Sequence, residues 1–147
     1  MELDKDFKEF LALLNQQEVE YLVVGGYAVA FHGHPRYTGD IDIWVNPTNS
    51  NAGNLIRAVE EFGFEVEPLK QVDFENETVA FHLGSPPVRI DIMNRMISGR
   101  KFMDCYPRRV EMEMEGIKIY YIGQQDLIAN KKASGRHMDL GDIENLQ

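Results

Sequence analysis

The chain has a single cysteine, Cys105. No internal disulfide and no thiolate zinc cluster can therefore be built, which fits a reducing compartment, and Cys105 is expected simply as a small packed or semi-exposed residue. No apolar run reaches transmembrane length, and the opening residues Met1-Glu2-Leu3-Asp4-Lys5-Asp6 are charged where a secretory signal would be apolar. The expected location is the cytoplasm, with no membrane partner. Basic residues are scarce as well: 15 Lys and Arg against 24 Asp and Glu give a formal charge of −9, which repels polyanions and disfavours non-specific nucleic-acid binding. Repeats, low-complexity tracts and obvious linkers are missing too, so one domain over residues 1–147 is expected, with 44% hydrophobic residues to build its core.

Against that acidic background, Arg95, Arg100, Lys101, Arg108 and Arg109 cluster with Asp104 as the sole acid between Arg95 and Arg109. Such a run either guides a phosphate-bearing acceptor or forms a solvated loop, and the loop is the simpler account. His32 and His34, two apart in a loop with no third ligand nearby, read as ordinary polar residues rather than a zinc site.

The stretch from Val23 to Val45 organises the rest. Tyr21-Leu22-Val23-Val24 is a short apolar run ended by Gly25-Gly26, the pattern of a buried strand feeding a tight turn, and Tyr27 to Phe31 continues as a short helix. Backbone N–H groups at such a start, unobstructed by a Cβ, suit an anion. Then comes Asp40-Ile41-Asp42-Ile43-Trp44-Val45. Side chains alternate along a strand, so Asp40, Asp42 and Trp44 share one face and the aliphatic residues the other. Trp44 on that face either stacks a base or packs, and packing is the safer expectation. Further on, Val88 to Met93 is a second strand with Asp91 as a carboxylate among apolar neighbours and Arg89 and Met93 on its face. If these strands are neighbours, three carboxylates converge.

The remaining segments read as scaffold. Asp4 to Gln16 and Asn54 to Phe62 carry apolar residues at helical spacing, Thr78 to Leu83 is a strand, and Phe64 to Gln71 is undecided. Val110 to Met114 and Ile117 to Ile122 form an alternating hairpin through Glu115-Gly116. Gln124 to Ser134 is a helix stopped by Gly135, and Asp139 to Leu146 a short final one.

Three aspartates on adjacent strands beside a glycine turn can hold two magnesium ions about 3.5–4 Å apart, the spacing of two-metal phosphoryl and nucleotidyl transfer. Magnesium fits because it leaves positions open for water and phosphate oxygens, whereas a calcium cage needs more ligands than this stretch offers. Arg36, just before the paired aspartates, is placed to neutralise phosphate or hold Asp40.

The run Val24-Gly25-Gly26, thirteen intervening residues, Asp40-Ile41-Asp42-Ile43, and later Ile90-Asp91-Ile92 resembles the signature of the DNA polymerase beta-like nucleotidyltransferase superfamily. Within it the chain is most similar to small bacterial nucleotidyltransferase-like proteins related to abortive-infection toxins. Asp126-Leu127-Ile128-Ala129-Asn130-Lys131, Ala133 to Arg136 and Asp139 to Ile143 resemble that group's closing helices.

The resemblance implies an α/β fold, a mixed sheet flanked by helices with short closing C-terminal helices. It implies Asp40, Asp42 and Asp91 as metal ligands and catalytic carboxylates. Gly25, Gly26, Lys131 and Arg36 would bind the nucleotide phosphates, with Arg136 and Asp139 structural. The implied cofactors are two Mg2+ ions (Mn2+ as substitute), and NTP is the donor. The implied reaction moves an NMP to a hydroxyl of RNA, protein or a small molecule. Many active members carry Ser where Gly26 stands, so one hydroxyl contact is missing, although Gly also fits the pattern. Many relatives add a helical substrate domain, whereas this chain has room only for short closing helices, so the acceptor would be held by a partner protein, by a second copy of the chain, or by nothing at all. The rival reading is a non-catalytic or weakly active member of a toxin–antitoxin-like pair that works by binding its partner.

Overall fold

The computed structural model describes residues 3–33, 39–85 and 87–135. The chain enters through helix α1 (Lys5–Gln16), capped by the Asp4 carboxylate, which accepts from the Asp6 N–H at 2.8 Å. One face of α1 buries Phe7, Phe10, Leu11 and Leu14. Strand β1 (Tyr21–Val24) follows, buried at every position. That is why its sequence is an unbroken apolar run rather than an alternating one: it is covered on both faces. Helix α2 (Gly25–Phe31) starts directly at the glycine pair, two residues before the sequence places it.

Strand β2 (Asp40–Val45) leads to helix α3 (Asn49–Glu61). The sequence reading starts this helix five residues later, at Asn54, with Asn46 to Ser50 breaking the strand and offering helix caps. Thr48 caps the helix by accepting from the Asn51 N–H at 3.2 Å. The buried Asn51 amide then bonds the backbone of Glu20 and Asn46, tying the helix start to both central strands. A single turn, α4 (Glu67–Lys70), fills the undecided segment, and β3 (Ala80–Ser85) and β4 (Val88–Met93) form a hairpin. Helix α5 (Phe102–Cys105) runs into a 3-10 turn at Tyr106–Arg108, and Cys105 is buried. Strands β5 (Val110–Met114) and β6 (Ile117–Tyr121) pair through the Glu115-Gly116 turn, and α6 (Gln124–Ser134) ends on Gly135 at φ 66°. The expected last helix, Asp139 to Leu146, lies outside the described residues.

The strands make one mixed sheet in the order β3-β4-β2-β1-β6-β5. β1 and β2 are antiparallel, whereas β2 runs parallel to β4 and β1 parallel to β6. Phe7, Phe10, Leu14, Leu55 and Val59 from the helices join Ile41, Ile43 and Ile92 from the sheet in the core. The fold is thus α/β with a mixed sheet and flanking helices, as expected. Among the described residues no helix is long and apolar enough to cross a membrane.

Candidate functional site

The parallel pairing of β2 with β4 decides the site. Its register sets Asp42 opposite Asp91 and Asp40 opposite Arg89. On neighbouring strands directly opposed side chains lie side by side, so the face read from sequence becomes a compact charged patch. The Asp42 and Asp91 carboxylates are in hydrogen-bond contact. Burial, first, and then the charges of Asp91 and Asp40 push the Asp42 pKa up to about 6 from 3.8, against the pull of Lys131. Two carboxylates this close share a proton or need a cation.

On the other side of β2, Val24 pairs with Asp42 and hands the chain to Gly25. Gly25 sits at φ +68°, and a Cβ there would fall 2.0 Å from Asp42 Oδ2. The turn needs glycine twice over, for its left-handed backbone and for room beside the carboxylate. Gly26, by contrast, is buried and does not line the cavity.

That cavity, about 600 Å³, is floored by the aspartates, Gly25 and Arg89 and walled by Arg95 to Ile97 and by Leu127, Asn130, Lys131 and Ser134 of α6. Lys131 is 4% exposed. Of the residues singled out in the sequence, Asp40, Asp42, Asp91, Gly25 and Lys131 therefore meet in one place, and Arg36 lies outside the described residues. Trp44 shares the aspartates' face but is buried, donates from Nε1 to the Asn94 carbonyl at 3.3 Å, and packs edge-on against Phe102. It is a packing residue, not a base platform.

Sequence reasoning missed Arg89. Its Nη2 donates to Asp40 Oδ2 at 3.0 Å, and its Nε lies 3.2 Å from Asp91 Oδ1. The signal was present in its shared face with Asp91, but its partner Asp40 emerges only from the β2–β4 register. Asn130 was also missed: its Oδ1 is buried with no hydrogen-bond partner.

Four of the five basic residues, all but the exposed Lys101, are tied to named partners. Arg108 donates from Nε and Nη2 to the Asp126 carboxylate at 2.9 and 2.8 Å, and Arg100 adds a third bond at 3.1 Å. Arg109 pairs with Glu111 and lies over the Tyr106 ring. Arg95 bonds the Glu75 carbonyl. His32 binds the Ile122 carbonyl through Nε2 at 2.8 Å, a link between α2 and the end of β6.

Whether a divalent cation suits this site can be asked of the donors. Among the described residues no group of three or more His, Cys, Asp and Glu side chains is gathered ready to hold a metal ion. Asp42 and Asp91 form a close pair, and Asp40 is engaged by Arg89. One or two carboxylates plus substrate phosphates is how magnesium is usually held, and the donor set is all oxygen. The residues fit a cation that arrives with a phosphate ligand.

Residues 1–147 match the family described as "Nucleotidyltransferase of unknown function (DUF6036)". The chain belongs to this nucleotidyltransferase family. No curated protein matches it significantly in sequence. Among solved structures, this nucleotidyltransferase resembles lincosamide antibiotic adenylyltransferase LnuA, crystallised with lincomycin, at 20% identity and TM-score 0.64, over 98% of this chain and 96% of that one. It also resembles TM1012 of Thermotoga maritima, a candidate nucleotidyltransferase, at 21% identity and TM-score 0.61 over 95% and 84% of the two chains. An antigenic nucleotidyltransferase-like protein of Paracoccidioides brasiliensis matches at 18% identity and TM-score 0.53, over 98% and 77%. At such identities the likeness is one of fold.

Proposed function

We propose that this nucleotidyltransferase carries out metal-dependent transfer of an NMP from an NTP to a hydroxyl acceptor, with release of pyrophosphate. The observation that carries the reading is the in-register pair Asp42 and Asp91 pressed against Gly25 on the cavity floor. Asp42 and Asp91 would hold the first Mg2+ (or Mn2+), and Asp40 with Asp42 a second. Bound there, the metal supplies Lewis-acid activation of the acceptor hydroxyl and charge neutralisation on the triphosphate.

The chain's own groups position the rest. Gly25, lacking a Cβ, lets phosphate oxygens approach the backbone at the start of α2, and Lys131 places a buried positive charge beside Asp42. Asp91 favours loss of the acceptor's proton. The acceptor oxygen forms a bond to the α-phosphorus as the bond to the β-phosphate oxygen breaks, and the pyrophosphate leaves.

Among acceptors, a small-molecule hydroxyl ranks ahead of RNA or protein. LnuA, an adenylyltransferase crystallised with lincomycin, matches this chain over almost its whole length, so a fold of this extent serves such an acceptor without an added helical domain. The test is transfer of label from each NTP, radiolabelled on the α-phosphate, into separated small-molecule, RNA and protein fractions of a lysate. Label in a fraction with wild type and none with Asp42→Asn supports the proposal. Equal incorporation by the two proteins overturns it.

A further inference from the structure

Arg89 spans two of the carboxylates assigned to the metal, with Nη2 at 3.0 Å from Asp40 and Nε at 3.2 Å from Asp91. A guanidinium and a divalent cation cannot occupy the same carboxylate lone pairs, and their like charges repel. The side chain is 35% exposed on the cavity floor, within reach of a ligand that enters the cavity. Its planar fork of donors also matches phosphate oxygens as well as carboxylate oxygens.

Resting on the metal reading above, we infer that Arg89 is an internal competitor for the metal-binding carboxylates. It yields Asp40 and Asp91 when a triphosphate arrives to take its guanidinium, so metal and nucleotide load together and free metal alone binds weakly. A phosphate is the exchange partner the chemistry calls for. It carries the negative charge that Arg89 gives up, and the same nucleotide brings the cation that replaces Arg89 on the aspartates. Arg89 is thereby a positioning residue that couples two binding events, and such coupling is reciprocal: the nucleotide tightens the metal by the factor by which the metal tightens the nucleotide.

The test is Mn2+ binding to the full chain, read by paramagnetic resonance with and without a non-hydrolysable NTP analogue. Asp42→Asn serves as the blank for metal held by the nucleotide alone. The wild type is expected to bind Mn2+ about tenfold tighter with the analogue than without it, a coupling of ordinary allosteric size. Arg89→Gln is expected to bind Mn2+ alone about tenfold tighter than wild type does and to lose most of that coupling. Arg89→Lys, which keeps the charge but not the fork, falls between them. Removing a positive charge beside the carboxylates tightens a cation through Coulomb attraction alone, so the loss of coupling to the nucleotide analogue in Arg89→Gln decides.

Mn2+ binding by Arg89→Gln no tighter than by wild type, or coupling to the analogue undiminished in that variant, overturns the inference and leaves the metal reading standing. If that variant fails to fold, the wild type still decides, because a coupling below twofold overturns the inference. Absence of Mn2+ binding in every protein, with the analogue present, overturns both.

Discussion

Asp126 and the Asp42 group are both acidic centres drawn in from solvent, and their surroundings are opposite. Asp126, 2% exposed, is met by two arginines through three hydrogen bonds. At the cavity floor three carboxylates lie together: Arg89 bridges Asp40 and Asp91, Lys131 pulls on Asp42, and Asp42 is still driven up to about 6 by burial and by its acidic neighbours. The first centre is neutralised and holds α6 against the segment around α5 and the 3-10 turn. The second gathers carboxylates closely enough that Asp42 resists ionising despite the pull of Lys131. Stability alone has no use for that arrangement, whereas the proposed cation site would have one.

The sharpest way to break this contrast is to exchange charge for amide at each centre. Asp42→Asn should lower nucleotidyl transfer by at least about 1,000-fold, roughly 4 kcal/mol of barrier, while leaving the melting temperature equal or raised. Turnover and calorimetry on the same preparation check both halves. Asp126→Asn should do the reverse, costing about 2–4 kcal/mol in urea unfolding through loss of the charge-assisted bonds to a buried carboxylate.

Gly25→Ala touches both quantities. It forces an L residue into the left-handed region, worth about 1–2 kcal/mol, and pushes a methyl onto Asp42. Unfolding should reveal the first effect and weakened Mg2+ binding the second.

The smallest effect concerns pH in the presence of a chelator. The folded pKa of Asp42 is raised from 3.8 to about 6, so the unfolded chain ionises this group first. Its contribution to stability is present below about pH 4 and lost as pH rises through about 6. The melting temperature of Asp42→Asn minus that of wild type should therefore grow between pH 4 and pH 7. Saturating Mg2+ should shrink the difference at pH 7, whereas the corresponding Asp126 comparison should not respond to the metal.

Much of this was readable from residues alone where local pattern and tertiary role agree. The apolar run Tyr21 to Val24, the alternation of Asp40 to Val45 and the Glu115-Gly116 hairpin turn each state their structure directly, and the three aspartates stand out as charges on strands otherwise apolar. What escaped depended on register or on long-range pairing. Arg89 looked like a neighbour of Asp91, and its bond to Asp40 exists because β2 and β4 run parallel in one particular alignment. Arg100 and Arg108 looked like part of a surface loop because their common partner, Asp126, is 18 or more residues away. The first turn of α3 escaped because the apolar spacing begins only at Leu55, while Asn51 is spent on backbone bonds at the sheet.

The position of β2 divides the labour of any motion at the site. It is laddered on one side to β1 and on the other to β4, so shifting Asp42 toward a ligand means breaking hydrogen bonds with two strands at once. The floor of the cavity behaves as a fixed gauge. Adjustment to nucleotides or acceptors of different size is expected from the cavity wall outside the sheet, Met96, Ile97 and, at the end of α6, Ser134. Engineering a new acceptor preference should therefore begin at Met96, Ile97 and Ser134, and leave the gauge untouched.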